Sequence, residues 1–366
     1  MKFTCERSVL LKEITIAQEI ITSKNVISVL SNIFIEAEND TLSIKATDMK
    51  VNFETKVPVT VLEPGATTVF GEKFLSILNS IPEGELEFDQ KDAKILIKPS
   101  KKSIRFQLKS IASEKFPEFP VSSVPFFDVP VKEFKNMVSQ TVFAVSDDET
   151  RYFMNGVLLE KNEDKLVMVA TDGRRLAYID KPVGTDINDF GKAIVPPKIL
   201  NIVIKRAGDE GLISISVTDK TIFIRFGSYN LSSVLFEGQF PNYRKVIPET
   251  QSFSLSVNRL ELLDALRRVS LMVEQKSRRV YLGVKPGVMS VYSEESDIGT
   301  AKEDIPCKYD GEEVSIALNY RYIEEPCKAI EDEEISIRFT EQKKAITIVP
   351  VSEKDFFHIV MPMNLD

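Results

Sequence analysis

Val169-Ala170-Thr171-Asp172-Gly173-Arg174-Arg175-Leu176-Ala177 is the stretch on which the reading of this chain turns. Ahead of it, residues 166–169 form an apolar run with weak alternation, which predicts a strand. Thr-Asp-Gly is turn chemistry, because Asp bonds its own backbone and Gly takes positive φ without a Cβ clash. Residues 175–179 then resume as a second strand. Alone this is a hairpin. Its weight comes from an echo: Leu42-Ser43-Ile44-Lys45-Ala46-Thr47-Asp48 lies 124 residues earlier, and a fainter one, Met289-Ser290-Val291-Tyr292-Ser293-Glu294-Glu295, lies 123 residues later.

Other landmarks keep nearly the same spacing. Phe116-Pro117-Glu118-Phe119 matches Phe240-Pro241-Asn242-Tyr243 at an offset of 124, and Met361-Pro362 falls in the corresponding place near the end. Lys73-Phe74-Leu75-Ser76-Ile77-Leu78 matches Lys198-Ile199-Leu200-Asn201-Ile202-Val203 at 125. One spacing shared by four landmarks implies three copies of one unit. Domains of 1–122, 123–249 and 250–366 follow, with Pro-rich stretches at 117–130 and 241–250 as the joints.

The copies share an order of elements. The first opens with a helix over 8–22, with Ser8 as N-cap and Val9, Ile16 and Ile20 along one side. A hairpin of 32–37 and 41–46 turns at Asn39-Asp40. A strand at 51–57, a helix at 72–80 ending before Pro82, and strands at 85–89, 93–98 and 103–108 complete the copy. The second copy has a helix at 131–144, a hairpin turning at 162–164, and a helix at 197–206 with Pro near its start. Its strands at 212–217 and 221–226 alternate cleanly. In the third, Asn258 caps a helix reaching Val269, and a second helix covers 319–329. The fold class is α+β: three similar β-rich domains, each with two helices.

Composition sets the outer limits. A chain of 366 residues with 43% hydrophobic and 28% charged residues is ordinarily globular and suits two or three domains. The N-terminus lacks the apolar core of a signal peptide, and no apolar run approaches the ~20 residues of a membrane helix. Three cysteines, Cys5, Cys307 and Cys327, are odd in number and scattered, which suits free thiols in a reducing cytoplasm. Net charge is −8, and the excess acid lies in the third copy, where 15 Lys and Arg face 21 Asp and Glu. Bulk charge therefore gives no support for DNA binding, although only a local face matters to phosphates.

Catalytic machinery is hard to find. The one histidine, His358, falls in a predicted terminal strand and reads as structural. Asp147-Asp148-Glu149 has the oxygens for Mg²⁺, but a charged loop after a helix explains it as well. No glycine-rich phosphate loop occurs, and no Cys/His set has metal-ligand spacing. Neither cofactor nor metal is expected. Basic residues on predicted helices are more suggestive: Lys198, Lys205 and Arg206 on one, and Arg259, Arg267 and Arg268 on another.

At this point the residues resemble a family over essentially the whole chain: the bacterial sliding clamps, the β subunits of DNA polymerase III. The motifs are Met1-Lys2-Phe3-Thr4, Glu63-Pro64-Gly65-Ala66-Thr67-Thr68-Val69, Arg151-Tyr152-Phe153-Met154-Asn155-Gly156, Ala170-Thr171-Asp172-Gly173, Phe240-Pro241-Asn242-Tyr243-Arg244 and Val360-Met361-Pro362-Met363. The resemblance implies a head-to-tail homodimer ring of six domains around duplex DNA, with helices lining the hole. It implies partners as well: a clamp loader, the replicative polymerase α subunit, and other polymerases and repair proteins that dock a short peptide. No membrane is involved.

Residue by residue, the resemblance places DNA contacts at Lys24, Tyr152, Phe153, Lys198, Lys205, Arg206 and Arg268. The sequence departs from many relatives at Pro197 and Glu72, where basic residues are common. The dimer contact falls on Phe106 and Leu108, on an expected edge strand, facing Leu271 and Met272 of the other copy. The peptide groove maps to Met154, Thr171, Gly173, Arg174, Arg175, Leu176, Pro241, Lys245, Val246, Val360, Met361, Pro362 and Met363. Its methionines can adapt to several ligands, while Arg175 and Lys245 are expected to hold the peptide's polar end. Arg174 stands where relatives carry an uncharged or weakly basic residue. An enzyme, such as a hydrolase on repeated domains, is the alternative; a secreted adhesion protein would carry a signal and disulfides.

Overall fold

The computed structural model describes residues 1–21, 28–183, 187, 190–352 and 355–363. They fall into two compact units: Met1–Lys132 with Lys198–Leu235, and Glu133–Pro197 with Phe236–Asp366. Each is built on one antiparallel sheet, of 13 strands in the first and 12 in the second. The sheets do not follow the threefold repeat. In the first unit, strand Tyr229–Val234 of the second copy pairs with Val51–Pro58 of the first. In the second, Phe356–Val360 of the third copy pairs with Arg175–Pro182 of the second.

Six helices occur among the described residues: α1 Arg7–Ile20, α2 Gly71–Ser80, α3 Val131–Thr141, α4 Pro197–Arg206, α5 Arg259–Val269 and α6 Tyr320–Ala329. Three match the expected bounds closely. Pro197 opens α4, where its missing N–H costs nothing. Asn258 caps α5 by accepting from the N–H groups of Leu260 and Glu261, and Asn319 caps α6 through Arg321 N–H. The hairpin at Asn39-Asp40 closes with φ of 49° and 53°, the left-handed pair that a two-residue turn needs.

Several expectations need correction. Ser8 lies inside α1, and Glu6 holds the cap position with no side-chain bond. Arg7 anchors that end instead, donating to the Leu78 carbonyl at 2.7 Å and pairing with Glu83. Val9 is exposed, and the buried face is Leu10, Glu13, Ile14, Ile16, Ala17 and Ile20. Ile16 and Ile20 of the expected stripe are thus on the buried face, and only Val9 lies off it. Strand 103–108 is instead Phe106–Ile111, and α3 stops at Thr141 before a 3₁₀ turn, Val142–Ala144. The strand Lys2–Glu6 was not foreseen; it pairs on both sides, with Glu85–Lys91 and Thr60–Glu63, and buries Phe3 and Cys5.

In the second unit a core of Leu158, Val167, Val169, Leu176, Ile194, Phe240, Tyr243 and Ile359 lies under the Thr171–Arg175 turn. It joins the central hairpin, the Phe-Pro-Asn-Tyr segment and the last strand in one apolar body.

Candidate functional site

The turn after strand Lys165–Thr171 is built by its own side chains. Thr171 Oγ1 accepts from Gly173 N–H at 3.1 Å and donates to the Arg175 carbonyl. Asp172 Oδ1 accepts from the N–H groups of Arg174 and Arg175 at 2.9 and 3.1 Å, and Oδ2 takes Arg175 Nε at 3.0 Å. Gly173 sits at φ 87°, so its lack of a Cβ is used.

Arg175 then ties elements together. Its guanidinium pairs with Glu325 of α6, donates to the Phe143 carbonyl at 2.6 Å, and lies 4.6 Å from the Tyr322 ring centroid. Its side chain is only 10% exposed. Arg175 is consumed inside the protein, so it is not free to hold the end of a ligand as the sequence suggested.

The last strand is fixed beside this turn. Val360 lies opposite Arg175 and Ile359 opposite Leu176. Met361 N–H donates to the Arg174 carbonyl at 2.9 Å, and Met363 N–H to the Ala317 carbonyl at 2.8 Å. The main chain is thus pinned while the Met361 side chain remains 44% exposed. Leu176 and Val360 are buried beneath, as a floor. The backbone accordingly brings together Thr171, Gly173, Arg174, Arg175, Leu176, Val360, Met361, Pro362 and Met363.

The remaining groove residues stand apart in kind. Pro241, Lys245 and Val246 flank the core residues Phe240 and Tyr243, with Val246 53% exposed. Burial, followed by the bond it donates to Glu160, pushes the Tyr243 hydroxyl up to about 12, so it stays a donor that fastens this turn. Met154 is buried.

Beside the last strand a cavity of 610 Å³ is lined by Arg174, Met361, Pro362 and Met363, and by residues the sequence reading did not assign to the site: Lys276, Ser277, Arg278, Asn319 and Tyr322. Asn319 was legible only as the first residue of an expected helix. Lys276 and Arg278 gave no periodic signal.

The expected DNA contacts are largely paired. Lys24 lies outside the described residues. Lys198 Nζ meets Asp48 Oδ2 at 2.6 Å and the Ile20 carbonyl at 2.7 Å. Burial works to raise the Asp48 carboxyl, but the bonds from Lys198 and the Val51 and Lys50 N–H groups prevail and hold it below its ordinary value. Lys205 pairs with Glu19 at 2.7 Å, Arg206 donates to the Lys12 carbonyl, and Arg268 makes a two-pronged pair with Glu303 at 2.7 and 2.6 Å. Tyr152 is 51% exposed, whereas Phe153 packs on the core.

Among the expected dimer residues, Leu271 is 77% exposed in the 3₁₀ turn Ser270–Met272, and Ile298, not foreseen, is 72% exposed. A Cβ at the neighbouring Gly299 would stand 3.1 Å from Met272 Cε, so this loop lies against Met272. Phe106 and Leu108 are half-buried on a strand that is paired on one side over 106–109 and joins Thr68-Val69 only at Ser110-Ile111. The edge is open at those two residues.

Elsewhere, Asp148 accepts from Thr150 N–H and so caps a turn, and no group fit to hold a metal occurs among the described residues. His358 is buried, meets Gln140 Oε1 through Nε2 at 3.0 Å, and is pushed down to about 3 by burial and then by Arg175. It is a neutral core residue.

Models of three domains match in order along the chain: DNA polymerase III beta subunit, N-terminal domain at 1–120, central domain at 128–242 and C-terminal domain at 244–364. The beta sliding clamp of Treponema pallidum is 43% identical over 371 residues, covering all of both chains. That of Escherichia coli K12 is 28% identical over 369 residues, again covering all of both. A sliding clamp from Pseudomonas aeruginosa bound to griselimycin superposes with a TM-score of 0.92 at 26% identity, and one from Bacillus subtilis with 0.91 at 26%; both cover the full length of each chain. The hydrolase alternative finds no support in these matches.

Proposed function

The chain belongs to the sliding-clamp family, the β subunits of DNA polymerase III, and on that premise we propose how its own residues do a clamp's work. It is a non-catalytic processivity subunit, which keeps a polymerase on its template without chemistry of its own. Two copies close head to tail in the cytoplasm, with 1–122, 123–249 and 250–366 as the repeating units. Duplex DNA passes through and is read nowhere, so contacts need only be weak and exchangeable.

Exchange is what the paired cations can provide. Exposed ion pairs such as Lys205–Glu19 and Arg268–Glu303 add little to stability, because water and salt screen them. A phosphate can replace the carboxylate at little cost. Lys198, half-buried on Asp48, serves better as a structural tie, leaving Lys205, Arg206, Arg268 and the exposed Tyr152 for DNA. Closure uses Leu271, Met272 and Ile298 against Phe106 and Leu108 of the other copy. Replacing Leu271 and Met272 together by Ala is expected to give a folded monomer in size-exclusion chromatography with light scattering; a dimer persisting at micromolar concentration would refute the assignment.

Polymerase, clamp loader and repair proteins dock a Gln- and Leu-rich peptide against the last strand. The observation that carries this reading is the pinned backbone of Met361 with its exposed side chain beside the 610 Å³ cavity. An apolar floor, adaptable methionines and a few polar groups suit one peptide motif shared by many partners. Deleting residues 361–366 is expected to leave a dimer that no longer binds a fluorescein-labelled motif peptide by anisotropy. Unchanged affinity would place the groove elsewhere.

A further inference from the structure

The groove wall at residues 241–246 is held by very little main chain. Among the described residues, no main-chain hydrogen bond runs from residues 237–249 to another element. Tyr243 N–H turns back to the Pro241 carbonyl at 2.7 Å, and Lys245 N–H to the Asn242 carbonyl at 3.3 Å. Phe240, Tyr243 and Ile247 pack into the core. Apolar contact of that kind has no direction, so it secures the segment without setting how the turn Tyr243–Val246 is rotated.

Direction comes from Glu160. Its Oε1 accepts from the Tyr243 hydroxyl at 2.6 Å and from Arg244 Nη2 at 3.1 Å. Two consecutive residues of the turn are therefore tied to one oxygen. Glu160 lies on the strand Val157–Asn162, which is paired on both sides, and it is 4% exposed. A buried carboxylate is costly unless cations and hydrogen bonds compensate it. Lys192 Nζ stands 3.6 Å from Oε2, so Lys192 and Arg244 balance the charge from exposed positions. A neutral acceptor would satisfy the Tyr243 hydroxyl as well; the carboxylate is what also draws in Arg244.

We infer that Glu160 is the positioning residue of this groove wall: by holding Tyr243 and Arg244 it sets where the exposed Val246 stands. Being buried, Glu160 acts through the turn and not on the peptide itself. The inference rests on the peptide groove proposed above and names what holds its second wall.

The test measures affinity for the fluorescein-labelled Gln- and Leu-rich peptide by anisotropy, with full-length dimers. Glu160→Ala takes the acceptor from both Tyr243 and Arg244 and is expected to weaken binding about tenfold. Glu160→Gln should bring affinity back to within about threefold of wild type, because an amide oxygen still accepts from Tyr243. The decisive readout is coupling to Val246. In a Val246→Ala background, Glu160→Ala should cost less than about twofold, because the side chain it places is gone; a general loss of stability would cost the same in both backgrounds. Equal losses in the two backgrounds, or unchanged affinity in Glu160→Ala or in Val246→Ala, would overturn the inference and leave the rest of the groove standing. A wild-type dimer that binds no peptide would overturn the groove, and the inference with it. Should Glu160→Ala not give a folded dimer, Tyr243→Phe takes its place in the same cycle, since it keeps the ring in the core and removes only the hydroxyl. Its loss of about threefold should likewise vanish in the Val246→Ala background.

Discussion

Thr47-Asp48 in the first unit and Thr171-Asp172 in the second are the same device put to different uses. In each, the threonine Oγ1 accepts from the N–H two residues on, at 2.9 Å from Met49 and 3.1 Å from Gly173. In each, aspartate Oδ1 accepts from the next two N–H groups, Lys50 and Val51 in one and Arg174 and Arg175 in the other. In each, the following carbonyl receives the end of a later strand at 2.9 Å: Val234 N–H on Lys50, Met361 N–H on Arg174. The frame differs in what the aspartate's second oxygen holds. Asp48 takes Lys198 from the start of α4, which closes the site with a cation. Asp172 takes Arg175, whose guanidinium runs on to Glu325 and leaves Arg174 and Met361 facing a cavity. The two turns share one scaffold and differ in the cation that the aspartate holds and in the cavity beside the second.

The strongest way to break this comparison is to remove the two cations separately. Arg175→Ala strands Asp172 and Glu325 in a largely buried position and is expected to cost about 3 kcal/mol in urea unfolding, with loss of peptide binding. Lys198→Ala is expected to cost about 1 kcal/mol, because Lys198 is partly solvated, and to leave peptide binding intact. Equal costs, or a binding defect in Lys198→Ala, would mean the two turns are not differentiated in this way.

A smaller effect separates the third residue of each turn. Gly173→Ala at φ 87° is expected to destabilise by about 1–2 kcal/mol. Met49, at φ 72°, already bears that strain, so Met49→Gly should be neutral or stabilising by up to about 1 kcal/mol. Thermal melts of the two variants would shift in opposite directions.

The smallest effect near neutral pH concerns the strand behind each turn. Where the first unit has Leu231 opposite Phe53, the second has His358 opposite Ala177. His358 is held far below its ordinary value, so its neutral form belongs to the folded state. Its stabilisation is full above about 6.5, the ordinary value, and is lost as pH falls from there toward about 3. Stability measured between pH 7 and 4 should therefore decline less in His358→Gln than in wild type. Parallel declines would show that His358 does not titrate on unfolding.

Much of this is legible in the sequence, and the reasons are local. The Thr-Asp-Gly turn, the Asn258 cap and the Pro197 helix start are set by side chains a few residues away, and that local chemistry marks them in the sequence. The residues proposed for the groove at 171–176 and 360–363 came through resemblance, and strand pairing sets the two segments side by side. What stayed hidden depends on contacts far along the chain. Lys276 and Arg278 lie more than a hundred residues from Arg174 and carry no pattern that links them. Arg175 looked available because sequence cannot show that Glu325 and the Phe143 carbonyl claim it. Lys198 looked like a free cation on a helix for the same reason. The third copy lost the frame altogether: Ser293 accepts from Ala301 N–H, and Glu294-Glu295 follows where Asp would stand.

Methionine methyl NMR tests the central claim most directly, since both turns carry a reporter: Met49 beside the first, Met361 and Met363 beside the second. With methyl-labelled methionine in the full-length dimer, each signal is assigned by single Met→Leu substitutions and followed while the motif peptide is titrated in. The methyl signals of Met361 and Met363 are predicted to shift and saturate together, while that of Met49 stays still. Shifts at Met49 that track the titration, or unmoved signals at Met361 and Met363, would contradict the division of roles between the two turns.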